Sequence, residues 1–317
     1  MSLQSQLKAA SPGGPAVVTI GTFDGVHIGH VRLLGATVDL ARSTGARSVA
    51  ITFRRPPRAL LNPALPVPYL CPLAERRSLI TAQGIDQVIE IEFDDSIREI
   101  GADDFVHILI TELEMSGLVI GPGAAVGRDR GGDETRMKAL SEDLGFVLRV
   151  VSPAMADGKV VRSTSVRAAL SAGDMASVSE MLGRPFTITG IVTEGDRRGR
   201  DLGFPTANIT PDPQGALPAD GIYACYVEVP QGRYLAATSI GIRPTFDSGP
   251  RVIEPFLLDF DADLYGHRIT VEFVERLRAE ERFDSVDALI VQMNIDVKNT
   301  RRILSAAGNK SGTPRAK

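Results

Sequence analysis

Cysteine is scarce in this chain. Cys71 and Cys225 are the only two in 317 residues, and they lie too far apart to suggest a metal-ligand spacing. A disulfide framework is therefore not expected, which suits a reducing compartment, and both thiols sit in apolar stretches that read as core. No run approaches the roughly 18 apolar residues of a membrane span. Residues 1–15 lack the apolar centre of a signal peptide, so a cytoplasmic protein with no membrane partner is expected. Excess positive charge is also missing. Lysine and arginine number 35 against 39 acidic residues, a formal net charge of −4. That balance argues against a life on bulk nucleic acid, yet leaves room for a small nucleotide site with a few local cations. There is no internal repeat and no low-complexity segment.

What the chain does have is apolar residues, 43% of the total, in two textures. Short β-branched runs at Ala16–Ile20, Ser48–Phe53, Gln87–Phe93, Gly117–Ile120 and Phe146–Val151 read as strands. Helical spacing separates them at His30–Arg42, around Leu73–Ala82, and at Ala102–Met115. Such alternation predicts βαβ units and a parallel sheet covered on both faces. Near Gly183 the texture changes. Strand-like runs recur at Thr187–Val192, Tyr223–Val229, Tyr234–Ile240, Phe256–Asp259 and Ile269–Phe273, with Gly, Pro and Asp clusters between them. That pattern predicts a small antiparallel barrel or sandwich. Ser285–Leu304 reads as a closing helix with Asp284 or Ser285 as its N-cap, and the small polar tail beyond it as frayed.

The first candidate site is Gly21-Thr22-Phe23-Asp24-Gly25-Val26-His27-Ile28-Gly29-His30. It follows a buried strand and opens a helix. Glycines let the backbone turn sharply and approach a ligand, and a helix N-terminus offers free N–H groups to an anion. His27 and His30, three apart, share one face of the first turn and can donate to phosphate oxygens. This suits nucleotidyl transfer, in which charge builds on the α-phosphate. A second stretch, Arg162-Ser163-Thr164-Ser165-Val166-Arg167, puts hydroxyls and an arginine at a helix start, serving either as a plain N-cap or as a phosphate clamp. A third is Gly195-Asp196-Arg197-Arg198-Gly199-Arg200-Asp201-Leu202-Gly203, a basic glycine-spaced loop running into Phe204-Pro205-Thr206-Ala207-Asn208-Ile209. If that run is extended, Thr206 and Asn208 share a face, and two side-chain oxygens there can hold Mg2+.

The first of these stretches resembles the HxGH nucleotidyltransferases and, more narrowly, the bacterial bifunctional FAD synthetases, whose loop reads GxFDGxHxGH. A class I aminoacyl-tRNA synthetase shares the His-Ile-Gly-His string, but this chain is short and has no lysine-rich KMSKS-like loop. The stretch from Gly195 to Ile209 is similar, nearly residue for residue, to the riboflavin kinase signature. Further matches follow in order at Asp220–Ala224, Ser239–Phe246, Glu254–Asp259 and Asp263–Gly266. The resemblance implies an α/β chain in two parts. Residues 1–182 would form a Rossmann-like nucleotidyltransferase (FMN adenylyltransferase) domain with a parallel sheet. Residues 183–317 would form a small antiparallel β-barrel of the riboflavin kinase type with a closing helix.

It also implies an enzyme that phosphorylates riboflavin to FMN with Mg-ATP and adenylylates FMN to FAD. His27 and His30 would act on the ATP phosphates, with Gly21, Phe23, Asp24, Gly25, Gly29, Ser163, Thr164 and Arg167 around the nucleotide. Gly195, Arg200, Gly203, Pro205, Thr206 and Asn208 would bind the second ATP, with Thr206 and Asn208 on Mg2+. Glu254 would be general base toward the ribityl 5′-hydroxyl. His107 and His267 read as ordinary packing or surface residues.

Two segments depart from the family pattern. Where Phe-x-Pro-His-Pro is usual, the chain has Phe53-Arg54-Arg55-Pro56-Pro57. Where Gly-x-Asp-Phe-x-Phe-Gly is usual, it has Gly121-Pro122-Gly123-Ala124-Ala125-Val126-Gly127. A flavin ring favours apolar and aromatic walls, so these departures predict weaker FMN adenylylation than riboflavin phosphorylation. They also leave open a kinase with a degenerate N-terminal part, another anionic acceptor at Arg54-Arg55, or a flavin- or nucleotide-binding regulator without turnover.

Overall fold

In the computed structural model, residues 2–57, 67–195, 202–242 and 251–310 are described, without the side chains of 307–310. The chain forms two compact units, residues 1–163 and 164–317.

The first unit is built on five strands, β1 (Ala16–Ile20), β2 (Arg47–Phe53), β3 (Gln87–Ile91), β4 (Met115–Ile120) and β5 (Val147–Val150), all paired in parallel in the order β3-β2-β1-β4-β5. Its helices are α1 (Leu3–Ala9), α2 (Ile28–Thr44), α3 (Leu73–Thr81), the single turn α4 (Asp95–Arg98), α5 (Ala102–Leu113) and α6 (Glu134–Leu144). Side chains alternate across β1. Ala16 and Val18 join one apolar cluster with Leu3, Leu7, Val106 and Leu109, while Val17 joins the other with Leu34, Val38 and Ile80. The sheet is thus covered on both faces, as expected. Winding proceeds outward from β1 through β2 to β3, then restarts at β4 on the other side. The crevice beyond the C-terminal ends of β1 and β4 is therefore the topological switch point, where open α/β sheets place ligands.

Several details differ from the sequence reading, among them α4 and α6, which were not expected. The helix expected over 102–115 ends at Leu113, because Glu114 turns left-handed (φ 48°) and Met115 already pairs with Ala16 in β4. An N-terminal helix was not expected; α1 buries Leu3 and Leu7, an i, i+4 pair whose burial contributes roughly 1.5–3 kcal/mol each. A two-residue hairpin, β6 (Met155–Ala156) with β7 (Lys159–Val160), follows β5.

The second unit begins with α7 (Ser163–Ala172), whose first residue belongs to unit one, and α8 (Met175–Leu182). Six strands then close a barrel: β8 (Phe186–Thr193), β9 (Asn208–Ile209), β10 (Gly221–Val229), β11 (Gly232–Ile242), β12 (Arg251–Leu257) and β13 (Arg268–Arg278), in the order β10-β11-β12-β9-β8-β13. All pairs are antiparallel, and β13 closes onto β10. Ile209, Tyr223, Cys225, Thr238, Ile240, Ile253, Val271 and Phe273 are buried at alternating positions that face the interior. The strand expected over 256–259 lies earlier, at 251–257, since Asp259 turns left-handed (φ 58°). The last helix, α9 (Val286–Lys310), is capped by Ser285, whose hydroxyl accepts from the Ala288 N–H at 3.1 Å. It runs past Leu304, where a frayed tail was expected, and covers the outer wall of the barrel through Ile303 and Leu304 against Ala224.

Candidate active sites

The chain leaving β1 is held open at the switch point by an unusual backbone. Phe23 (φ 46°), Gly25 (φ 77°) and Val26 (φ 40°) all lie in the left-handed region, two of them without the freedom of glycine. His27 then caps α2, and its Nδ1 accepts from the His30 N–H at 3.3 Å. That bond leaves the His27 proton on Nε2. The two imidazoles stack with centroids 3.7 Å apart and planes 16° from parallel. Gly29 leaves room for the stack, since a Cβ there would lie a tight 3.1 Å from the His27 ring. Burial pushes the His27 imidazole down to about 4. His30 is held well below its ordinary value by burial and by His27 beside it, and its Nδ1 is enclosed without a partner. Both rings are neutral near pH 7 and stand as N–H donors.

The other expected residues of the first unit lie in or beside this loop, and those of the second are placed by their own element. Gly21 leaves β1 with its N–H bonded to Ile51 O at 3.1 Å. The Asp24 carboxylate accepts the Leu70 N–H at 2.8 Å, and Ser163 Oγ donates to the Asp24 carbonyl at 3.1 Å. Thr164 and Arg167 follow in the first turns of α7, in the second unit. The altered segment after β4 is an ordered loop. Val126 and Gly132 exchange both backbone hydrogen bonds (3.1 and 2.9 Å), and Arg130 Nη2 donates to Gly123 O at 2.8 Å. Arg54 and Arg55, after β2, are exposed.

In the second unit a cavity of about 670 Å³ is lined by Gly195, Pro205, Thr206 and Asn208 together with Phe260, Asp261, Asp263 and Tyr265. Asn208 is buried and lies directly on Gly195, where any Cβ would collide with its amide group. Gly203 (φ 83°) turns the chain just before Phe204. Arg200 lies outside the described residues. Glu254 is not in the cavity lining but stands beside it on β12. Ile209 pairs with Ile253, so antiparallel register sets Asn208 next to Glu254, and Ser239 faces Glu254 from β11. Ile209, Ile253 and Ile240 point inward and are fully buried; the row Asn208–Glu254–Ser239 therefore lies on the outer wall.

Sequence reading missed the 257–265 loop as the opposite side of this cavity. It also missed Arg76, whose helical neighbours gave no sign that it is only 4% exposed.

The thiols of Cys71 and Cys225 are both free and buried, and burial pushes that of Cys225 far up. No helix among the described residues is long and apolar enough to cross a membrane.

A riboflavin kinase family model matches residues 182–304, and a FAD synthetase family model matches residues 10–165. The chain is 35% identical over 296 residues to a bifunctional riboflavin kinase/FMN adenylyltransferase of Pseudomonas fluorescens, covering 93% of this chain and 94% of the relative. A protein of the same description from Listeria monocytogenes is 31% identical over 287 residues, covering 90% and 91%. Among solved structures, a crystal structure described as a macrolide-efflux protein from Streptococcus pneumoniae is similar with a TM-score of 0.85 and 28% identity, covering 93% of this chain and 96% of that one.

Proposed function

The chain belongs to the bifunctional riboflavin kinase/FMN adenylyltransferase family, and from that premise we propose that its second unit phosphorylates riboflavin to FMN with Mg-ATP and its first adenylylates FMN to FAD. The observation that carries this reading is the presence of two separate nucleotide-type sites, one in each unit, within an alignment that spans both.

In the kinase step, Glu254 accepts the proton of the ribityl 5′-hydroxyl as that oxygen attacks the γ-phosphorus of ATP, and ADP leaves. Little covalent work falls to the protein; positioning dominates. Thr206 and Asn208 supply hard oxygen donors at one edge of the cavity, and Gly195 leaves the space that the Asn208 amide occupies. This donor set fits Mg2+, which keeps several waters and needs few protein ligands besides phosphate. When bound, such an ion would supply positive charge to offset the negative charge of the ATP phosphates. Thr206 and Asn208 would hold it.

In the adenylyl step, an oxygen of the FMN phosphate attacks the α-phosphorus of the second ATP and pyrophosphate departs, with no proton to remove from the attacking group. His27 and His30, neutral before binding, donate N–H bonds to the phosphates, and polyphosphate arriving beside them favours their protonated forms. Ser163, whose hydroxyl meets the Asp24 carbonyl of the loop, would add a phosphate donor. A kinase with an inert first unit carries less, because relatives named for both activities align over both units. A regulator without turnover has no use for Glu254 as a base. The reading also places the enzyme in the cytoplasm.

Two variants of the full chain separate the steps. Glu254→Gln should lower FMN formation by roughly 10²-fold or more, the scale of losing a general base, while supplied FMN is still turned to FAD. His27→Ala should do the converse. Unchanged kinase turnover in Glu254→Gln removes that residue from its role.

A further inference from the structure

Arg76, on α3, is 4% exposed, although it carries a full charge. A buried arginine ordinarily pairs with a carboxylate. No described ion pair includes Arg76; instead, its guanidinium bridges two backbone carbonyls. One terminal nitrogen donates to the Thr22 carbonyl at 2.7 Å and the other to the Phe53 carbonyl at 3.0 Å, while Nε is buried without a partner. The Phe53 carbonyl closes β2, directly before the Arg54-Arg55 pair, and the Thr22 carbonyl lies two residues beyond β1, inside the histidine loop. Thr52 Oγ1 donates to the same Thr22 oxygen at 3.2 Å.

The Thr22 carbonyl belongs to the peptide that enters the left-handed Phe23. An L side chain resists that conformation, so something outside the loop must hold it. The Phe23 ring is fully buried and packs edge-to-face with His30, with centroids 5.3 Å apart and planes at 73°. His30 in turn stacks on His27. A continuous mechanical path thus leads from the guanidinium through one carbonyl and one ring to the histidine pair.

We propose that Arg76 is a positioning residue for adenylyl transfer, fixing the Thr22–Phe23 peptide and thereby the orientation of His30 against His27. This rests on the reading of the first unit as an adenylyltransferase. The two-pronged geometry is what matters: a planar fork holds two carbonyls at a fixed spacing, which an ammonium on a flexible stem does not.

The test uses the full chain with Arg76→Met, Arg76→Lys and Phe23→Leu. FAD formation from FMN and ATP is measured, with FMN formation from riboflavin as internal standard for each preparation. The four histidines of the chain are followed by NMR as a readout that does not depend on turnover. Arg76→Met is expected to lower kcat for FAD by about 10²-fold, the scale of a displacement near 1 Å in reacting groups, with KM for ATP little changed. Arg76→Lys should resemble it, and both should move the ring-current-shifted His27 and His30 resonances but not those of His107 and His267. Phe23→Leu breaks the path one step later and should give the same pattern with Arg76 intact, so it decides the matter if the arginine variants unfold. Full rescue by lysine, a loss carried by KM alone, or unmoved His27 and His30 resonances would overturn the proposal. If the parent protein makes no FAD, the adenylyltransferase reading fails, and the resonances alone still decide whether Arg76 orients the pair.

Discussion

At the residue scale, the charge state of the histidine pair is set by enclosure. His27 titrates ordinarily near 6.5 and burial lowers it to about 4 in the folded chain. An unfolded chain therefore takes up a proton on the way down from pH 6.5, while the folded one waits until near 4. The sign follows: the neutral His27 contributes stability that is present above pH 6.5 and lost as pH falls toward 4. At about 1.4 kcal/mol per unit, the contribution is roughly 3 kcal/mol. Titration followed by NMR should give His27 a midpoint near 4 in the free protein, rising when ATP or an analogue is bound. A midpoint at the ordinary value would mean that the imidazole is solvated and the stacked arrangement absent.

His27 and His30 could be singled out in the sequence because their spacing and the glycines around them constrain local geometry. Their low affinity for protons was not legible, since it depends on residues packed around them from distant elements. Arg76 shows the same limit more sharply. Its sequence neighbours Glu75 and Arg77 suggest a charged helix face, and only the folded chain puts two backbone carbonyls within its reach.

At the element scale, α9 is tied to the barrel by one buried ion pair. Arg278 on β13 donates through Nε and Nη2 to Asp296, with the closest contact at 2.8 Å, and Gln292 Nε2 adds a bond to the same carboxylate at 3.0 Å. Asp296 is 4% exposed. Removing it leaves a guanidinium largely out of water without its partner, which costs about 3 kcal/mol or more. Asp296→Ala should accordingly lower the urea midpoint of the second unit with little change in slope. A loss below ~1 kcal/mol would place the pair in the class of solvated surface bridges.

Regular elements with one period were readable from the chain. β1 and α2 stand out because apolar runs and helical spacing meet at a glycine loop. The short pieces were not: the hairpin at 155–160, and α8, whose Val178, Met181 and Leu182 are buried. Eight residues hold too few turns to establish a period, and α8 owes its burial to β8 and β13, which come later in the chain. The barrel was legible as a texture of short strands, but its closure between β10 and β13 depends on long-range pairing that no local pattern encodes.

At the scale of the whole molecule, two cores imply two folding units. A fragment beginning at Gly183 contains all six barrel strands, and one beginning at Thr164 also carries α7 and α8. Both are expected to phosphorylate riboflavin, and the longer should melt higher because it keeps the buried face of α8. Thermal unfolding with a kinase assay on each checks this. Equal melting of the two would show that α8 contributes nothing to the barrel.

The central claim is that one chain carries out two successive transfers. Incubating the full protein with riboflavin, ATP and Mg2+ and separating riboflavin, FMN and FAD over time tests it most directly. The account predicts that FMN appears first and FAD follows more slowly, because Ala124 and Val126 stand after β4 where the family pattern has two aromatic residues. FAD made as fast as FMN would show those aromatics to be dispensable. No FMN at saturating Mg-ATP, from protein that is folded by an independent measure, would contradict the account at its base.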